Sequence, residues 1–529
     1  MKKNFTILML ILSMNVFALG KQQSAVPVAQ KVITVGITND PETVSPLSTN
    51  NIMAHYVSRI LFLPLVMETS ERFFVNRLAE SIDTSDNRVF VIKINQEVKW
   101  TDGVPVSADD VIFTINTFSN PVVGVRDTSA HRIIVGTDES GCFPVGAGGI
   151  SGVKKIDDYT VSVETKYPIT LNIFKLEIGT TLRTMPRHIL ENEPVETILR
   201  CAFFQRPTVT NGAFCFKEYV PGQYLSMTAN SDYFRGRPKI DTLNFKILSG
   251  NQLSAQLESG EIDMNYPGVG LLPVDDYERV INMPHLRTER GEPNTVQTLL
   301  YNNATLNVAV RRAMDIAINR DGILQNIFKG EAFMTRTPVS SQVEYWNEEA
   351  ARYTYDPERA RALVAESGWD TATRLVFVVP TGNATRERVC TIIAENFKAI
   401  GLNVVIERAD MPATVARIQK RDYDITILGM PANVFNLSRN LRYFADSNDS
   451  YTGYSDPAMD ALLTTIYESV DPEVLRAGYF EAQERIAADV PVSGVYSELA
   501  LRAVNKRVSF GDLPKFGTLR DLEVWDVEN

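Results

Sequence analysis

The chain has 529 residues, more than one hydrophobic core usually serves, so we expect two or more lobes. Its net charge of −11 argues against nucleic acid as a partner, because phosphate binding requires a basic face. Hydrophobic residues make up 44% of the chain and charged residues 22%, which are ordinary values for a globular protein.

The N-terminus has the pattern of a cleavable signal peptide. Lys2 and Lys3 precede an apolar run over residues 5–19, and Ala18 and Gly20 supply the small residues of a cleavage site. No other apolar stretch approaches 18 residues, and the first cysteine is Cys142, so there is no lipobox. We therefore expect residues 1–20 to be removed and the mature protein to be soluble and periplasmic.

Export permits disulfides, and the four cysteines allow three pairings. Cys201 and Cys215 flank a segment containing Pro, Asn and Gly that could fold back as a hairpin, which favours that pair while leaving the other pairings open. No C-x-x-C spacing occurs, so the cysteines do not predict a zinc or redox site.

The first half of the chain predicts mainly strands. Val32–Ile37 is an apolar strand followed by a turn-rich run, and Phe90, Ile92 and Ile94 alternate in another strand. Ser107 and Asp110 have the spacing of a capping box that opens a helix. Further strands are expected at 159–164, 214–219 and 243–247, followed by a helix and turn over 253–263.

The second half predicts an α/β unit. Helices are expected over 310–318, from the Asp356-Pro357 cap to Gly368, over 389–400 with Gly401 as the stop, and over 413–420. Strands at 375–379, 402–407 and 423–428 alternate with the last two of these helices. Strand–helix–strand repetition predicts a parallel sheet with right-handed crossovers.

Several strings resemble landmarks of the family 5 extracellular solute-binding proteins, the dipeptide, oligopeptide and nickel receptors of bacterial ABC importers. WTDGVPVSADDV at residues 100–111 resembles the family's W-x-DG-x-P-x-(S/T)-A-x-DV segment. The strand around Phe214 and Phe216, followed by the string from Asn230 to Phe234 that we take as a second strand, and the GEID string at 260–263 also resemble family patterns. The resemblance extends over nearly all of the mature chain.

The resemblance implies an α/β fold of the two-lobe periplasmic binding protein type (type II, cluster C-like) with an extra subdomain inserted in lobe I. Mapped by motif, lobe I comprises residues 21–55, 188–265 and 491–529, and the inserted subdomain comprises residues 56–187. Lobe II would then be residues 266–490. Two crossover strands, near residues 265–268 and 490–493, would form the hinge of a cleft that closes around ligand.

Catalytic and metal-binding motifs are missing from the sequence. The four histidines are scattered singly without an HExxH pair, no G-x-S-x-G elbow is present, and the glycine-rich run 146–152 lacks the Gly-Lys-Ser/Thr ending of a phosphate loop. We therefore expect no enzyme, no metal site and no cofactor. A secreted hydrolase with paired carboxylates stays an alternative, as does an interaction protein without a small-molecule pocket.

The resemblance also places candidate ligand-binding residues in the cleft. They lie in the first loop of lobe I, at the expected hinge, in an aromatic pair, and at the start of the helix after strand 375–379, where Arg388 is a neighbouring candidate. These candidates are Asn39, Asp40, Tyr266, Tyr345, Trp346 and Arg386.

One further part of the cleft departs from the family pattern. Where peptide-binding relatives have the string G-W-x-x-D, this chain has Gly429-Met430-Pro431-Ala432-Asn433, so the acid that pairs with the ligand's α-ammonium aligns with Asn433. An asparagine can accept a hydrogen bond from an ammonium but supplies no charge. Met430 and Asn433 are therefore ligand-binding candidates that leave open whether a free amine is recognised.

The resemblance implies a monomer that captures oligopeptides and delivers them to an inner-membrane ABC permease. The alternatives of the same class are a nickel chelate, an oligosaccharide or another ligand without a free amine. A chelate would require arginines and a histidine to meet in the cleft.

Overall fold

A computed structural model describes residues 30–47, 51–69, 73–293, 295–431, 437–447, 450–511 and 519–528. The predicted signal peptide and Asn433 lie outside these residues. Two large sheets organise the described chain, one of seven strands and one of six. We call the part built on the seven-stranded sheet lobe I and the part built on the six-stranded sheet lobe II.

The lobe I sheet is mixed. Its central strand, Val32–Ile37, pairs in parallel with Thr242–Ile247 on one side and with Met264–Asn265 on the other. Antiparallel strands extend both edges, so the spatial order is Leu286–Arg290, Leu501–Asn505, Met264–Asn265, Val32–Ile37, Thr242–Ile247, Tyr224–Ala229 and Phe214–Val220. The order of the three parallel strands reverses at Val32–Ile37, so the loop after that strand begins at a switch point.

A four-stranded antiparallel sheet is inserted into lobe I. Its order is Ala79–Thr84, Val89–Ile94, Thr160–Glu164 and Val153–Asp157. The predicted alternation holds here, since Phe90, Ile92 and Ile94 are buried. The predicted capping box is also present: the backbone N–H of Ser107 donates to Asp110 Oδ2 over 2.9 Å at the start of helix Ala108–Phe118. The predicted strand at 230–234 is wrong, because Tyr224–Ala229 forms the hairpin partner and Asn230 begins a turn.

The lobe II sheet contains the predicted parallel strands. Its order is Ala332–Met334, Val492–Glu498, Thr295–Tyr301, Ile425–Pro431, Arg374–Pro380 and Asn403–Ala409. Arg374–Pro380 runs parallel to both of its neighbours, as predicted. Val492–Glu498 and Ile425–Pro431 are each antiparallel to the strand between them, so four strands point the same way.

Helices cover both lobes. The left-handed φ of +94° at Gly401 terminates the longest predicted amphipathic helix of lobe II. Asp356 caps helix Pro357–Glu366 by accepting from the backbone N–H of Arg359 over 2.8 Å.

The helices of seven or more residues in the described chain are Ile52–Leu61, Ala108–Phe118, Gly250–Ser259, Val308–Ala317, Arg320–Asn326, Pro357–Glu366, Ala384–Ala399, Met411–Lys420, Leu437–Ala445, Pro457–Tyr467 and Pro472–Asp489. The short helices are Leu171–Phe174, Arg187–Leu190, Ala202–Gln205, Tyr277–Ile281 and Glu348–Ala351, and single turns of 3₁₀ or π type are Ser129–Ile133, Lys175–Gly179, Ile198–Arg200, Val274–Asp276 and Leu522–Val524. Two pairs of short strands, Val66–Glu68 with Phe74–Asn76 and Val508–Ser509 with Asp526–Val527, complete the description.

The chain crosses between the lobes later than the expected hinge at residues 265–268 and 490–493. Strand Leu286–Arg290 pairs with Leu501–Asn505 in lobe I, and Val492–Glu498 pairs with Thr295–Tyr301 in lobe II. The crossings therefore lie between Arg290 and Thr295 and between Glu498 and Leu501, so the expected boundaries at 266 and 491 are displaced. The two crossings run side by side, since Gly291 N–H donates to the carbonyl of Ala500 over 2.9 Å.

The four cysteines are free thiols, so the favoured Cys201–Cys215 disulfide is wrong. Cys215 lies in strand Phe214–Val220, whose hairpin partner is Tyr224–Ala229. Cys201 lies before the short helix Ala202–Gln205. The segment between the two cysteines thus does not fold back on itself as the sequence suggested.

Within the described residues, no helix has both the length and the apolar character required to cross a membrane.

Candidate ligand-binding site

A cavity of about 1630 Å³ lies between the lobes. It exceeds the roughly 300–1,000 Å³ of a pocket for a drug-sized ligand. Its lobe I wall is formed by the loops that follow the carboxyl ends of the three parallel strands. These loops contribute Thr38 to Asp40, Leu248 to Asn251, and Gly268 to Pro273 apart from Gly270.

The lobe II wall is built in the same way. Residues 381–386 follow strand Arg374–Pro380, Met411 and Pro412 follow Asn403–Ala409, and Glu498 ends Val492–Glu498. Ligands of open α/β sheets bind in the crevice outside the carboxyl ends of the strands, where the strand order switches. Here the carboxyl ends of the parallel strands of both sheets face the same cavity. Residues within 125–142 and 167–177 of the inserted part supply a third wall.

Arg386 is the predicted residue with the clearest chemistry. It lies in the first turn of helix Ala384–Ala399, lines the cavity and is only 6% exposed. Its Nη2 donates to the carbonyl of Pro380 over 3.2 Å, while its buried Nε has no hydrogen-bond partner. Burial lowers the pKa of this guanidinium. Among the described residues no carboxylate forms an ion pair with it, so the cavity holds a buried cation without a matching anion.

The first loop of lobe I also lines the cavity, as predicted for Asn39 and Asp40. The Asp40 carboxylate is already engaged: it accepts from the Tyr219 hydroxyl, from Gly222 N–H over 2.5 Å and from Glu42 N–H over 2.8 Å. Desolvation of the Tyr219 hydroxyl and this hydrogen bond raise the pKa of Tyr219. Asp40 therefore fixes the loop that carries Asn39.

The predicted aromatic residues lie outside the cavity lining. Tyr266 is buried against Tyr56, with the ring centroids 5.1 Å apart, although Gly268 and Val269 beside it line the cavity. Tyr345 stacks on Tyr479 with centroids 5.2 Å apart, and Trp346 meets the ring of Phe333 at 6.1 Å. Aromatic rings that pack against each other in this way stabilise the lobes.

The remaining predicted residues that the structure describes also lie outside the cavity lining. Met430 is buried in the lobe II core, although Gly429 before it lines the cavity. Arg388, with 55% of its side chain exposed, lies 3.6 Å from Asp275 of lobe I, outside the cavity lining. Asn433 lies outside the described residues.

The lining contains charged residues of both signs, most of which the sequence analysis did not single out. Its carboxylates are Asp40, Glu42, Asp127, Glu139, Glu177 and Glu498, and its guanidinium groups are those of Arg126, Arg132, Arg386 and Arg442. Four tyrosines also line it: Tyr167, Tyr443, Tyr451 and Tyr467. Such a mixed lining suits a ligand that carries both polar and apolar groups.

The lobes touch each other across the cavity. The guanidinium of Arg132, from the inserted part of lobe I, lies 5.8 Å from the ring centroid of Tyr467 in lobe II. Arg442 of lobe II lies 5.6 Å from the same centroid, so the ring contacts two cations. A second contact joins Lys329 of lobe II to Asp275 of lobe I over 2.9 Å. The two lobes are therefore in direct contact with each other.

Comparison with known proteins decides the family. Residues 74–452 match the sequence profile of "Bacterial extracellular solute-binding proteins, family 5 Middle". The chain belongs to this family. The predicted family and the predicted two-lobe α/β fold are thus confirmed.

Relatives of this family 5 protein cover most of its length. The chain is 25% identical over 494 residues to the oligopeptide-binding protein AppA of Bacillus subtilis, covering 88% of this chain and 86% of the relative. It is 21% identical to the glutathione-binding protein GsiB of Pectobacterium atrosepticum over 90% of each chain.

Solved structures share the fold. The structure of Bacillus subtilis AppA with a nonapeptide matches 94% of this chain and 100% of that chain, with a TM-score of 0.78 and 22% identity. NikZ of Campylobacter jejuni with Ni(L-His) matches the same shares with a TM-score of 0.78 and 18% identity.

No group of three or more side chains that could hold a metal ion occurs in the described parts of the chain.

Proposed function

We propose that this protein captures oligopeptides in the interlobe cavity and delivers them, unaltered, to an ABC permease of the inner membrane. The proposal includes a periplasmic location, monomeric action, and release of the same molecule that was bound. The relatives named for oligopeptide binding and the size of the cavity support a peptide over a smaller solute.

The observation that carries the proposal is the buried Arg386 at the carboxyl edge of the lobe II sheet. A buried charge is costly unless it is paired, and among the described residues no carboxylate forms an ion pair with Arg386, whose Nε has no hydrogen-bond partner. A peptide ends in a carboxylate, which guanidinium groups bind through charge-assisted hydrogen bonds. The helix Ala384–Ala399 adds its favourable N-terminal dipole at the same place.

The chelate alternative is less well supported by the cavity. Although four arginines line it, no histidine is found among its described lining residues. A peptide needs backbone hydrogen bonds, groups that match its terminal charges and room for its side chains, which suits a large cavity with a mixed polar and apolar lining.

The test is calorimetric titration with short peptides and with the same peptides amidated at the C-terminus. Replacing Arg386 with Gln should weaken binding of the free-acid peptide by about 1.5–3 kcal/mol, which is about 10-fold to 150-fold in Kd. The amidated peptide should bind wild type and Arg386→Gln nearly equally. Lys398→Gln, on the same helix but 49% exposed and paired only with Glu395 of that helix, is the matched control and should leave the affinity unchanged.

Absence of binding to every peptide pool would overturn the proposal. So would a ligand recovered with a changed mass, because delivery requires an unaltered solute.

A further inference from the structure

Glu498 is a carboxylate at the point where lobe II joins lobe I. It is the last residue of strand Val492–Glu498, lies partly buried and lines the interlobe cavity. Tyr277 of lobe I donates its hydroxyl to Glu498 Oε1 over 3.0 Å, and Leu501 N–H in turn donates to the Tyr277 oxygen over 3.1 Å. The side chain is thus held at the second crossing by one neutral hydrogen bond.

No cation among the described residues neutralises Glu498. Burial raises the pKa of this carboxyl to about 7, and the hydrogen bond from Tyr277 only partly opposes that effect. Tyr277 donates to Glu498, the ionisable Tyr496 lies two residues before it on the same strand, and Arg386 lines the same cavity. Burial therefore disfavours the charged form of Glu498 as long as no cation lies beside it.

In contrast to Glu498, a carboxylate beside the neighbouring strand is neutralised by an arginine. Glu331 precedes strand Ala332–Met334, which pairs with Glu498, and it receives two hydrogen bonds from Arg290 over 2.5 and 2.7 Å. Arg290 is committed to Glu331 and to the ring of Tyr277, 5.0 Å from its guanidinium. It is therefore not free to neutralise Glu498 as well.

We propose that Glu498 binds a cationic group of the ligand, an ammonium or a guanidinium, at the crossing side of the cavity. This inference rests on the proposed function and narrows it to peptides that present such a group there. Arg386 and Glu498 lie at the carboxyl ends of strands that run in the same direction, so the cavity offers one site for an anionic group and one for a cationic group. A charged partner supplies Glu498 with the charge-assisted hydrogen bonds that the protein itself does not provide.

Proton release is the direct signature of this contact. A cation beside Glu498 favours its charged form, so binding of a cationic peptide near pH 7 should expel a fraction of a proton. Affinity for that peptide should rise as the pH increases from 6 to 8, because the deprotonated carboxylate binds the cation. A matched neutral peptide should show neither effect.

The experiment is calorimetry on the full-length protein with peptide pairs that differ in one charge. Lysine is compared with norleucine at each position in turn, and a free N-terminal ammonium is compared with an acetylated one, which separates the two sources of the cation. Each titration is run in two buffers of different ionisation enthalpy to count protons. We expect one cationic group in the set to be favoured at least about tenfold and to release protons.

Glu498→Gln should abolish the preference for the cationic peptide and the proton release. Its affinity for the neutral peptide should stay unchanged, and that binding also shows that the variant is folded. Glu395→Gln, at a side chain with 64% exposure on the outer part of helix Ala384–Ala399, is the matched control and should behave as wild type. Equal preference in Glu498→Gln and wild type, or no proton release by any cationic peptide, would overturn the inference. Failure of every peptide to bind would instead overturn the proposed function together with it.

Discussion

Asp315→Asn should strongly destabilise lobe II. The Asp315 carboxylate, 3% exposed, accepts from Arg320 Nη2 over 2.7 Å, Arg336 Nη2 over 2.9 Å and the Ser493 hydroxyl over 2.9 Å. Arg320 is fully buried and also donates to the carbonyl of Gly494 over 2.8 Å. These hydrogen bonds join helix Val308–Ala317 to strand Val492–Glu498, whose last residue lines the cavity.

The magnitude follows from the charge that is left behind. Burial alone would raise the pKa of Asp315, but Arg320 and Arg336 lower it below the ordinary value, so the carboxylate is charged at neutral pH. Asparagine keeps the shape but removes that charge, which leaves the Arg320 guanidinium uncompensated in the core. Breaking a buried pair in this way costs about 3–5 kcal/mol. At about 2–4 °C per kcal/mol for a unit of 150–250 residues, the midpoint should fall by roughly 6–20 °C.

The assay is thermal and urea unfolding of wild type, Asp315→Asn and Glu349→Gln. Glu349 forms an ion pair with Arg352 over 3.0 Å, but both side chains are more than half exposed, so its removal should change the free energy of unfolding by less than about 1 kcal/mol. If the two variants shift the midpoint equally, the reasoning about buried charge is refuted.

Two further predictions concern acid stability and closure. His131 is buried, bonded to Ser119 over 2.7 Å, and burial lowers its pKa from 6.5 to about 3, so protonation favours the unfolded chain. As the pH falls from 6.5 to 3, the free energy of unfolding should therefore fall by about 1.4 kcal/mol per pH unit on account of this residue. Urea unfolding at pH 7 and pH 5 should show a smaller loss of stability in His131→Gln than in wild type. An equal loss in the two proteins would contradict the prediction. Tyr467→Leu removes the ring that contacts Arg132 across the cavity, so peptide affinity should fall roughly twofold to thirtyfold and small-angle scattering should show a more open ligand-free protein. Identical scattering curves with unchanged affinity would show that this contact does not favour closure.

Local signals predicted most elements of lobe II. The stop at Gly401 and the cap at Asp356 depend on neighbouring residues alone, so spacing reveals them. The positions where the chain crosses between the lobes were misplaced, because they depend on the pairing of Leu286–Arg290 with Leu501–Asn505. These segments lie more than 200 residues apart, and no local sequence pattern indicates that they pair. The Pro267-Gly268 turn looked like a hinge but lies next to strand Met264–Asn265, inside lobe I.

The candidate site was predictable only where it follows strand ends. Asn39 and Arg386 come directly after the carboxyl ends of parallel strands, and the cavity forms there. Tyr345 and Trp346 lie outside the cavity lining and pack against other rings of lobe II; from sequence alone an aromatic pair fits a core as well as it fits a ligand. Glu498 was missed because the direction of its strand depends on the sheet order, which the sequence does not state.

The paired connections at Gly291 and Ala500 set how the two halves of the molecule move. Hinges are a few loop residues that absorb a change in backbone angles, and we expect the lobes to rotate about these two crossings, which a hydrogen bond holds side by side. A Cβ at residue 291 would approach the carbonyl oxygen of Ala500 to 3.0 Å, so glycine keeps the crossings close. We expect every cargo that lets the halves meet to produce the same outer contour, so that a transporter senses occupancy from outside without inspecting the peptide.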